Sequence, residues 1–478
     1  MSQYDVCVIG AGPGGYVAAI RSAQLGLKTA IIEREALGGV CLNVGCIPSK
    51  AMIAATHFLH KAQHDAETMG IKISDISVDM KKLKNWKQSV CDKMSGGVGQ
   101  LLKGNKVDVI MGEAQFVSST ELSLKSSKGQ QAVRAKNFII ATGSRPIEIP
   151  GFKPDEKEVL TSTGALDLEK IPKRVVTIGG GYIGLEISSY LRKLGSEVTV
   201  LEAGGALLSG AADPDCVKVV ERRLKKNGVN VFTKAFAKSF KKTGSTLKVT
   251  AEVNGKMETF DADKILLTVG RKPNSDQMNL SKIGLNIDER GFVKVNAQMK
   301  TNVPHIYAIG DIAGQPMLAH KASHEGVLVA EVIAGHNRVY DAKTVPAVIF
   351  TDPEIASAGW TEEECKSHGH PDLKIGKFSF AANGRAVSLM ETDGFVKIIA
   401  DKKTNIVLGV HIVGPEASNL ISEAVLAIEM GATLEDLALS IHPHPTLGEV
   451  MMETADAALG HAIHMINRPL SGSPRANA

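Results

Sequence analysis

Residues Tyr4-Asp-Val-Cys-Val-Ile9 run directly into Gly10-Ala-Gly12-Pro-Gly-Gly15, and the fold follows from that junction. The first six residues read as a buried strand, and the apolar stretch Tyr16 to Leu25 reads as the helix behind the glycines. Gly26 ends that helix, Lys28 to Ile32 forms a second strand, and Glu33 closes it. Strand, glycines, helix, strand and acid in this order are the fingerprint of a dinucleotide-binding βαβ unit. The glycines let the backbone approach a pyrophosphate held at the helix N-terminus, while the acidic residue reaches a ribose hydroxyl. Gly10, Gly12, Gly15 and Glu33 are the candidate residues.

The pattern then recurs. Arg174 to Ile178 reads as a strand, Gly179-Gly-Gly181-Tyr-Ile-Gly184 as the loop, Leu185 to Leu194 as the helix and Glu197 to Leu201 as the second strand, ending at Glu202. Glu33 follows Gly10 by 23 positions, and Glu202 follows Gly179 by 23. Equal spacing in two copies implies two dinucleotide domains of one design, hence two dinucleotides or a duplicated ancestor. Each copy has a tailpiece: Asn137 to Gly143 and Asp263 to Gly270 are short apolar strands ending in a small-residue turn, followed by Arg145-Pro146 and Arg271-Lys-Pro273. These read as crossings between domains.

Between the copies, Lys81 to Gly104 reads as a polar helix in which Cys91 and Trp86 are structural, and Ser118 to Arg134 as an exposed antiparallel hairpin. The strand Thr301 to Asp311 delivers an aspartate beside Gly310; Asp311 either binds a polyol hydroxyl or caps a following helix, and taken alone the cap is preferred. From about Val345 strands (Lys374 to Phe380, Gly394 to Ile399, Ile406 to Val413) and helices (Glu416 to Met430, Leu434 to Leu439) suggest a third, α+β domain, with a disordered tail after Pro469. The fold class is therefore α/β, with two Rossmann-like dinucleotide-binding domains and a C-terminal α+β domain.

Cys41 and Cys46 lie in Gly38-Gly-Val-Cys-Leu-Asn-Val-Gly-Cys-Ile-Pro-Ser-Lys50. Five positions of regular helix span about 7.5 Å of rise, while a relaxed disulfide needs its Cα atoms within about 7 Å. A bridge here would need a distorted turn, for which Gly45 and Pro48 supply the means. Two free buried cysteines and a working dithiol both remain open on spacing alone, although electron transfer is the chemistry natural to a dithiol beside a nucleotide. Ile441-His-Pro-His-Pro-Thr-Leu-Gly-Glu449 places two histidines between prolines, with a glutamate able to orient an imidazole; a structural histidine is the alternative.

The chain has 478 residues, 44% hydrophobic and 22% charged, enough for two to four ordinary globular domains. Fifty-five basic against 51 acidic residues leave a net charge of +4, which gives nucleic-acid binding no support. Six cysteines in so long a chain do not make a secreted disulfide framework, so a reducing compartment is expected. With the nucleotide loop starting nine residues after Met1 and no apolar run read as transmembrane, the expectation is a cytoplasmic protein, without a membrane partner and without a metal site.

With these pieces in order, the chain from Tyr4 to about Arg468 resembles the dihydrolipoamide dehydrogenases, within the flavin-dependent disulfide reductase family; the Gly38 to Lys50 stretch and His444-Pro-Thr-Leu-Gly-Glu449 carry the resemblance most specifically. It implies FAD on the first loop and Glu33, with Gly143 at that site and Asp311 near the ribityl or phosphate region, and NAD on Gly179, Gly181, Gly184 and Glu202, with Gly270 at its edge. It also implies a redox-active Cys41–Cys46 disulfide, Lys50 near the flavin and paired with Glu186, and His444 with Glu449 as the proton-transfer pair. The expected domains are 1–147 for FAD, 148–270 for NAD, 271–345 completing the FAD site and 346–478 forming a homodimer interface. The implied partners are lipoyl domains of 2-oxo acid dehydrogenase complexes or the glycine cleavage H protein. Glutathione-type reductases resemble Cys-Val-Pro-Lys-Lys where this chain has Cys46-Ile-Pro-Ser-Lys50, and carry arginines where it has Glu202-Ala-Gly-Gly. Mercuric reductases end in a cysteine pair, whereas the last cysteine here is Cys365; Tyr182 is a departure that resembles the aromatic gate of glutathione-type enzymes. A scaffold docked in a multienzyme complex is the alternative of another class, and it has no physical need for intact cysteines, base and loops.

Overall fold

In the computed structural model, which describes residues 3–127 and 129–466, strand β1 (Gln3–Ile9) is buried continuously from Val6 to Ile9. Both its faces are covered, which is what an unbroken apolar run requires of a central parallel strand. Helix α1 (Pro13–Gln24) follows, then strand β2 (Thr29–Glu33), parallel to β1 with Val6 opposite Thr29 and Ile9 opposite Ile32. The helix begins three residues before Tyr16, because the fixed φ of Pro13 suits the first helical position and its missing amide would be unbonded there anyway. The glycines Gly14 and Gly15 thus form the first turn itself. The second helix likewise begins early, at Tyr182, and runs to Lys193.

The chain forms two compact units. The first comprises the residues up to Ala55, Ser77–Ile171 and Leu267–Asp341; the second comprises Thr56–Ile76, Pro172–Leu266 and the residues from Ala342. The first unit contains the short helix α2 (Gly39–Asn43), the start of helix α3 (Cys46–His64), helix α4 (Met80–Gly104) and strands β3 (Asp108–Met111), β4 (Glu113–Ser118), β5 (Glu121–Ser126) and β6 (Gly129–Ile140). Strands β3, β2, β1 and β6 lie side by side in parallel, and Ile306–Ala308 adds a further parallel strand against β6. Both neighbours of β1 end level with it, Ile9 facing Ile32 and Ile140, so that Gly10 and Ala141 emerge together at the carboxyl edge. Helix Ala319–Ile333 packs against α1 through small residues: a Cβ on Gly326 would meet Gly14 O at 2.6 Å.

In the second unit, Val229–Phe232, Glu197–Leu201, Arg174–Ile178 and Lys264–Leu267 are adjacent in that order, with the antiparallel meander Ala235–Thr243, Thr246–Val253, Lys256–Ala262 as an appendage. Its C-terminal part is a five-stranded antiparallel sheet, Ala347–Ile349, Glu354–Gly359, Val407–Gly414, Phe395–Asp401 and Leu373–Ser379. Helices Ala417–Met430 and Glu449–Leu459 cover it, with Ile398, Ile412, Ile421, Ala424, Val450 and Met451 in the shared core.

Four expectations are corrected. Trp86, read as structural, is 46% exposed on α4, whereas Cys91 is fully buried. The stretch 118–134 is part of a three-stranded meander whose inner face, Leu122, Leu124 and Val133, enters the core. Asp311 caps no helix: it lies within the short 3-10 turn Gly310–Ile312, and the next α-helix starts at Ala319 behind Leu318. Gly39–His64 does have the length and apolarity of a membrane span, but it is broken between α2 and α3 and carries Lys50, Lys61 and three histidines. The expected tail after Pro469 lies outside the described residues.

Candidate active site

The two nucleotide loops are built alike to the level of single hydrogen bonds. Gly10 N donates to Ile32 O at 2.8 Å, and Gly179 N donates to Leu201 O at 2.8 Å. Glu33 takes Ala11 N on Oε2 at 2.7 Å and Glu35 N on Oε1 at 2.8 Å; Glu202 takes Gly180 N on Oε2 at 2.6 Å and Gly204 N on Oε1 at 2.6 Å. Each carboxylate therefore ties the loop to the end of its own second strand, and each oxygen keeps a lone pair that can accept from a ribose hydroxyl. A Cβ on Gly15 would stand 1.9 Å from Gly10 O, so only glycine permits that turn. A Cβ on Gly12 or Gly181, by contrast, would meet nothing within 4 Å. No side chain caps α1 or Tyr182–Lys193, so both helix N-termini present backbone amides over an open approach, an arrangement that fits the pyrophosphates of FAD and NAD. Gly184 is buried in the first turn of the second helix.

The cysteine stretch is fastened to the first loop. Gly38 N donates to Ala11 O at 2.8 Å, and Gly39 lies so close that a Cβ on it would be 2.8 Å from Gly12 Cα. Asn43 Nδ2 holds the turn by donating to Leu37 O and Gly39 O, both at 2.9 Å. The distorted turn expected at Gly45 is a full break between α2 and α3: a Cβ there would meet Val40 O at 2.9 Å. Cys41 and Cys46 are both thiols in this structure, and the break brings them into hydrogen-bonding contact. The Cys46 contact and burial together push the Cys41 thiol well above the ordinary range, against the pull of Lys50. Cys46 is the first residue of α3, and Lys50 stands one turn behind it.

The tailpieces meet each other: Ser144–Pro146 pairs antiparallel with Arg271–Pro273. Gly143 (φ +67°) and Gly270 (φ +121°) make the turns into that ladder, and both belong to the unit that holds the first loop. Asp311 accepts from Ser144 Oγ at 2.5 Å, and Ser144 Oγ accepts from Arg271 Nε at 2.8 Å. Gly310 N donates to the buried Glu325 at 2.7 Å, whose other oxygen pairs with Lys321 at 2.7 Å. In the second unit, the buried Glu186 accepts from Phe350 N at 2.9 Å.

His444 and Glu449 are brought together: Nδ1 lies 2.8 Å from Glu449 Oε1, and Glu449 Oε2 accepts from Thr446 N at 2.8 Å. The His444 side chain is 77% exposed, so its Nε2 edge is open to a substrate. Although burial opposes it, the Thr446 amide and His444 hold the Glu449 carboxyl below its ordinary value. Glu449 is the first residue of its helix, directly behind Gly448.

Residues 4–326 match the family model of the pyridine nucleotide-disulphide oxidoreductases, and residues 345–455 match the dimerisation domain of the same family. The chain is 51% identical to the dihydrolipoyl dehydrogenase of Geobacillus stearothermophilus over 98% of either chain, and 52% identical to that of Bacillus subtilis over 97% of this chain and 98% of the relative. The chain belongs to the pyridine nucleotide-disulphide oxidoreductase family. Among solved structures of the family, LpdA from Mycobacterium tuberculosis superposes with a TM-score of 0.88 at 26% identity, covering 95% of this chain and 99% of its own. The flavoprotein disulfide reductase RclA from Escherichia coli superposes with a TM-score of 0.85 at 25% identity and the same coverage.

Within that family frame, the sequence reading missed residues that hold the predicted ones. Ser144, Arg271 and Glu325 fix the Gly310–Asp311 turn, and Glu423 holds His442. The echo of Gly143-Ser-Arg-Pro146 in Gly270-Arg-Lys-Pro273 was a usable signal for the first two, since matching tailpieces with Pro at their ends suggest a paired ladder. Glu325 and Glu423 carry no signal of that kind; each sits inside a helix at a position that reads as ordinary.

Proposed function

We propose that the chain oxidises dihydrolipoamide with NAD, through a Cys41–Cys46 disulfide and FAD, as a dihydrolipoyl dehydrogenase. The observation that carries this reading is the attachment of the cysteine turn to the first nucleotide loop, Gly38 N on Ala11 O and Gly39 on Gly12, because it sets a dithiol beside a dinucleotide site. Gly10, Gly12, Gly15, Glu33, Gly143 and Asp311 would hold FAD; Gly179, Gly181, Gly184 and Glu202 would hold NAD. FAD, when bound, takes two electrons from the dithiol and delivers them to NAD as hydride.

The residues of the chain do the rest. His444, its ring oriented by Glu449, takes a proton on Nε2 from one substrate thiol. The resulting thiolate attacks Cys41 Sγ of the oxidised pair, the Cys41–Cys46 bond breaks, and Cys46 leaves as a thiolate. The second substrate thiol then attacks the substrate sulfur of the mixed disulfide, which forms lipoamide, and Cys41 leaves with that thiol's proton. Two substrate S–H bonds have become one S–S bond, and the enzyme disulfide has become the Cys41 thiol and the Cys46 thiolate, with the other proton on His444. The negative charge rests on Cys46, the first residue of α3, where the helix N-terminus and Lys50 one turn behind favour it.

The family's dimerisation domain supports a homodimer. In it, the site combines Cys41 and Cys46 of one subunit with His444 and Glu449 of the other, and the substrate arrives on a lipoyl domain or an H protein. Mixed dimers refolded from inactive Cys46→Ser and inactive His444→Gln test this. Such dimers should regain part of the activity, since one of their two sites has both cysteines and the base; verified mixed dimers without activity would place thiols and base on one chain.

A further inference from the structure

His442, two residues before the base, has a side chain only 10% exposed, whereas that of His444 is 77% exposed. Its Nδ1 lies 2.8 Å from Ser440 O, and its Nε2 lies 2.8 Å from Glu423 Oε1 on helix Ala417–Met430. Both ring nitrogens are thereby occupied, one by a backbone carbonyl and the other by a carboxyl group. A ring with both nitrogens so engaged offers no lone pair to a thiol. The choice between the two histidines therefore falls on His444.

The surroundings give His442 another task. The loop from Ser440 to Gly448 contains Pro443 and Pro445, which bring no amide, and its apolar flank points away from the fold: Leu439 is 82% and Ile441 99% exposed. Every residue from Leu439 to Pro445 is exposed except His442. The next anchors are Thr446, whose carbonyl accepts from Asn383 Nδ2 at 3.0 Å, and the buried Leu447. On its other side the His442 ring lies against the start of the catalytic helix, its Cδ2 being 3.7 Å from where a Cβ on Gly448 would stand. Ser440 carbonyl, Glu423 carboxylate and the Gly448 turn thus enclose the ring from three directions.

We propose that His442, clamped by Glu423, is a positioning residue that fixes the His444 loop at the distance and angle the thiol requires. The proposal rests on reading His444 as the base. Proton transfer within a hydrogen bond tolerates little displacement, and loosening a supporting contact of this kind lowers turnover by roughly 10- to 100-fold.

The test uses the FAD-loaded full chain with His442→Ala, and Glu423→Gln as a variant that leaves the core intact. Two activities are compared: NAD reduction by dihydrolipoamide, which needs the base, and NADH oxidation by ferricyanide, which passes through the flavin without it. The expected result is a roughly 10- to 100-fold lower kcat with dihydrolipoamide at nearly unchanged KM, an unchanged ferricyanide rate, and a double variant no worse than the poorer single one. A dihydrolipoamide kcat within about twofold of the parent in both variants, or an equal fall in both activities, overturns the proposal. His444→Gln separates this from the underlying reading: if that variant keeps its dihydrolipoamide rate, the base assignment fails and takes the clamp with it.

Discussion

Replacing Glu449 by glutamine changes one oxygen to an amino group, and the geometry leaves the amide no good orientation. Each carboxylate oxygen now accepts one bond, from His444 Nδ1 and from Thr446 N, both at 2.8 Å. If the amide oxygen stays with Thr446 N, its amino group faces His444 Nδ1, which must become an acceptor; the single ring hydrogen then sits on Nε2, where the base needs its lone pair. If the oxygen turns to His444 instead, the amino group opposes the Thr446 amide, and a lost backbone bond costs about 1–3 kcal/mol. That range corresponds to about a 5- to 150-fold depletion of the competent tautomer. Loss of the carboxylate charge beside the protonated ring adds about a further factor of ten. Steady-state turnover of dihydrolipoamide with NAD should accordingly fall by roughly 100- to 1,000-fold, with flavin content, melting temperature and ferricyanide reduction unchanged. A kcat within threefold of the parent would refute the reasoning, because the tautomer would then not depend on Glu449.

Three other outcomes are expected. Glu202→Arg should narrow the preference for NAD over NADP by roughly 10- to 100-fold in kcat/KM, since a carboxylate repels a 2′-phosphate and a guanidinium attracts it; equal use of both cofactors by the parent would contradict the role given to Glu202. Gly15→Ala should yield protein that has lost most of its flavin, read from the ratio of visible to ultraviolet absorbance, because its Cβ would stand 1.9 Å from Gly10 O; full flavin loading would show that the loop relaxes freely. Burial first, and then the neighbouring Lys193, push the half-buried His60 imidazole down to about 4 from its ordinary 6.5. The unfolded chain therefore binds the proton first, and stability should fall as the pH drops from 6.5 towards 4 and level off below. Allowing for solvent screening the loss is about 1–2 kcal/mol, and His60→Gln should flatten that part of the melting curve; an unaltered slope would contradict the depressed value.

Periodicity and glycine spacing disclosed the skeleton because the physics there is local. Strands Arg174–Ile178 and Glu197–Leu201 and helix Leu434–Leu439 end where their apolar runs and caps end. The sequence pattern starts the helices at the glycine loops late, at Tyr16 and Leu185, since glycine and proline normally argue against helix and here occupy its first turn. The exposure of Trp86 is not legible locally, because the face an aromatic occupies on a long amphipathic helix depends on what the helix packs against. The candidate site was legible wherever its members share a short motif, as Cys41 with Cys46 and His444 with Glu449 do. Its supports were not: Ser144 meets Arg271 127 positions later, and Glu423 meets His442 from another helix. Asp311 could be read as a cap because an aspartate beside a glycine is a common capping pattern, and only the distant Ser144 shows where its carboxylate turns.

The central claim is that a dithiol formed by Cys41 and Cys46 exchanges electrons with a flavin held on the first loop, with the charge on Cys46. Anaerobic titration of the FAD-loaded protein with dihydrolipoamide, followed by visible absorption, tests it most directly. One equivalent should leave the flavin oxidised beneath a new long-wavelength charge-transfer band; Cys46→Ser should bind flavin and show no band, and Cys41→Ser should show the band even before reductant is added. Bleaching of the parent's flavin without any band, or a band that survives in Cys46→Ser, would contradict the account.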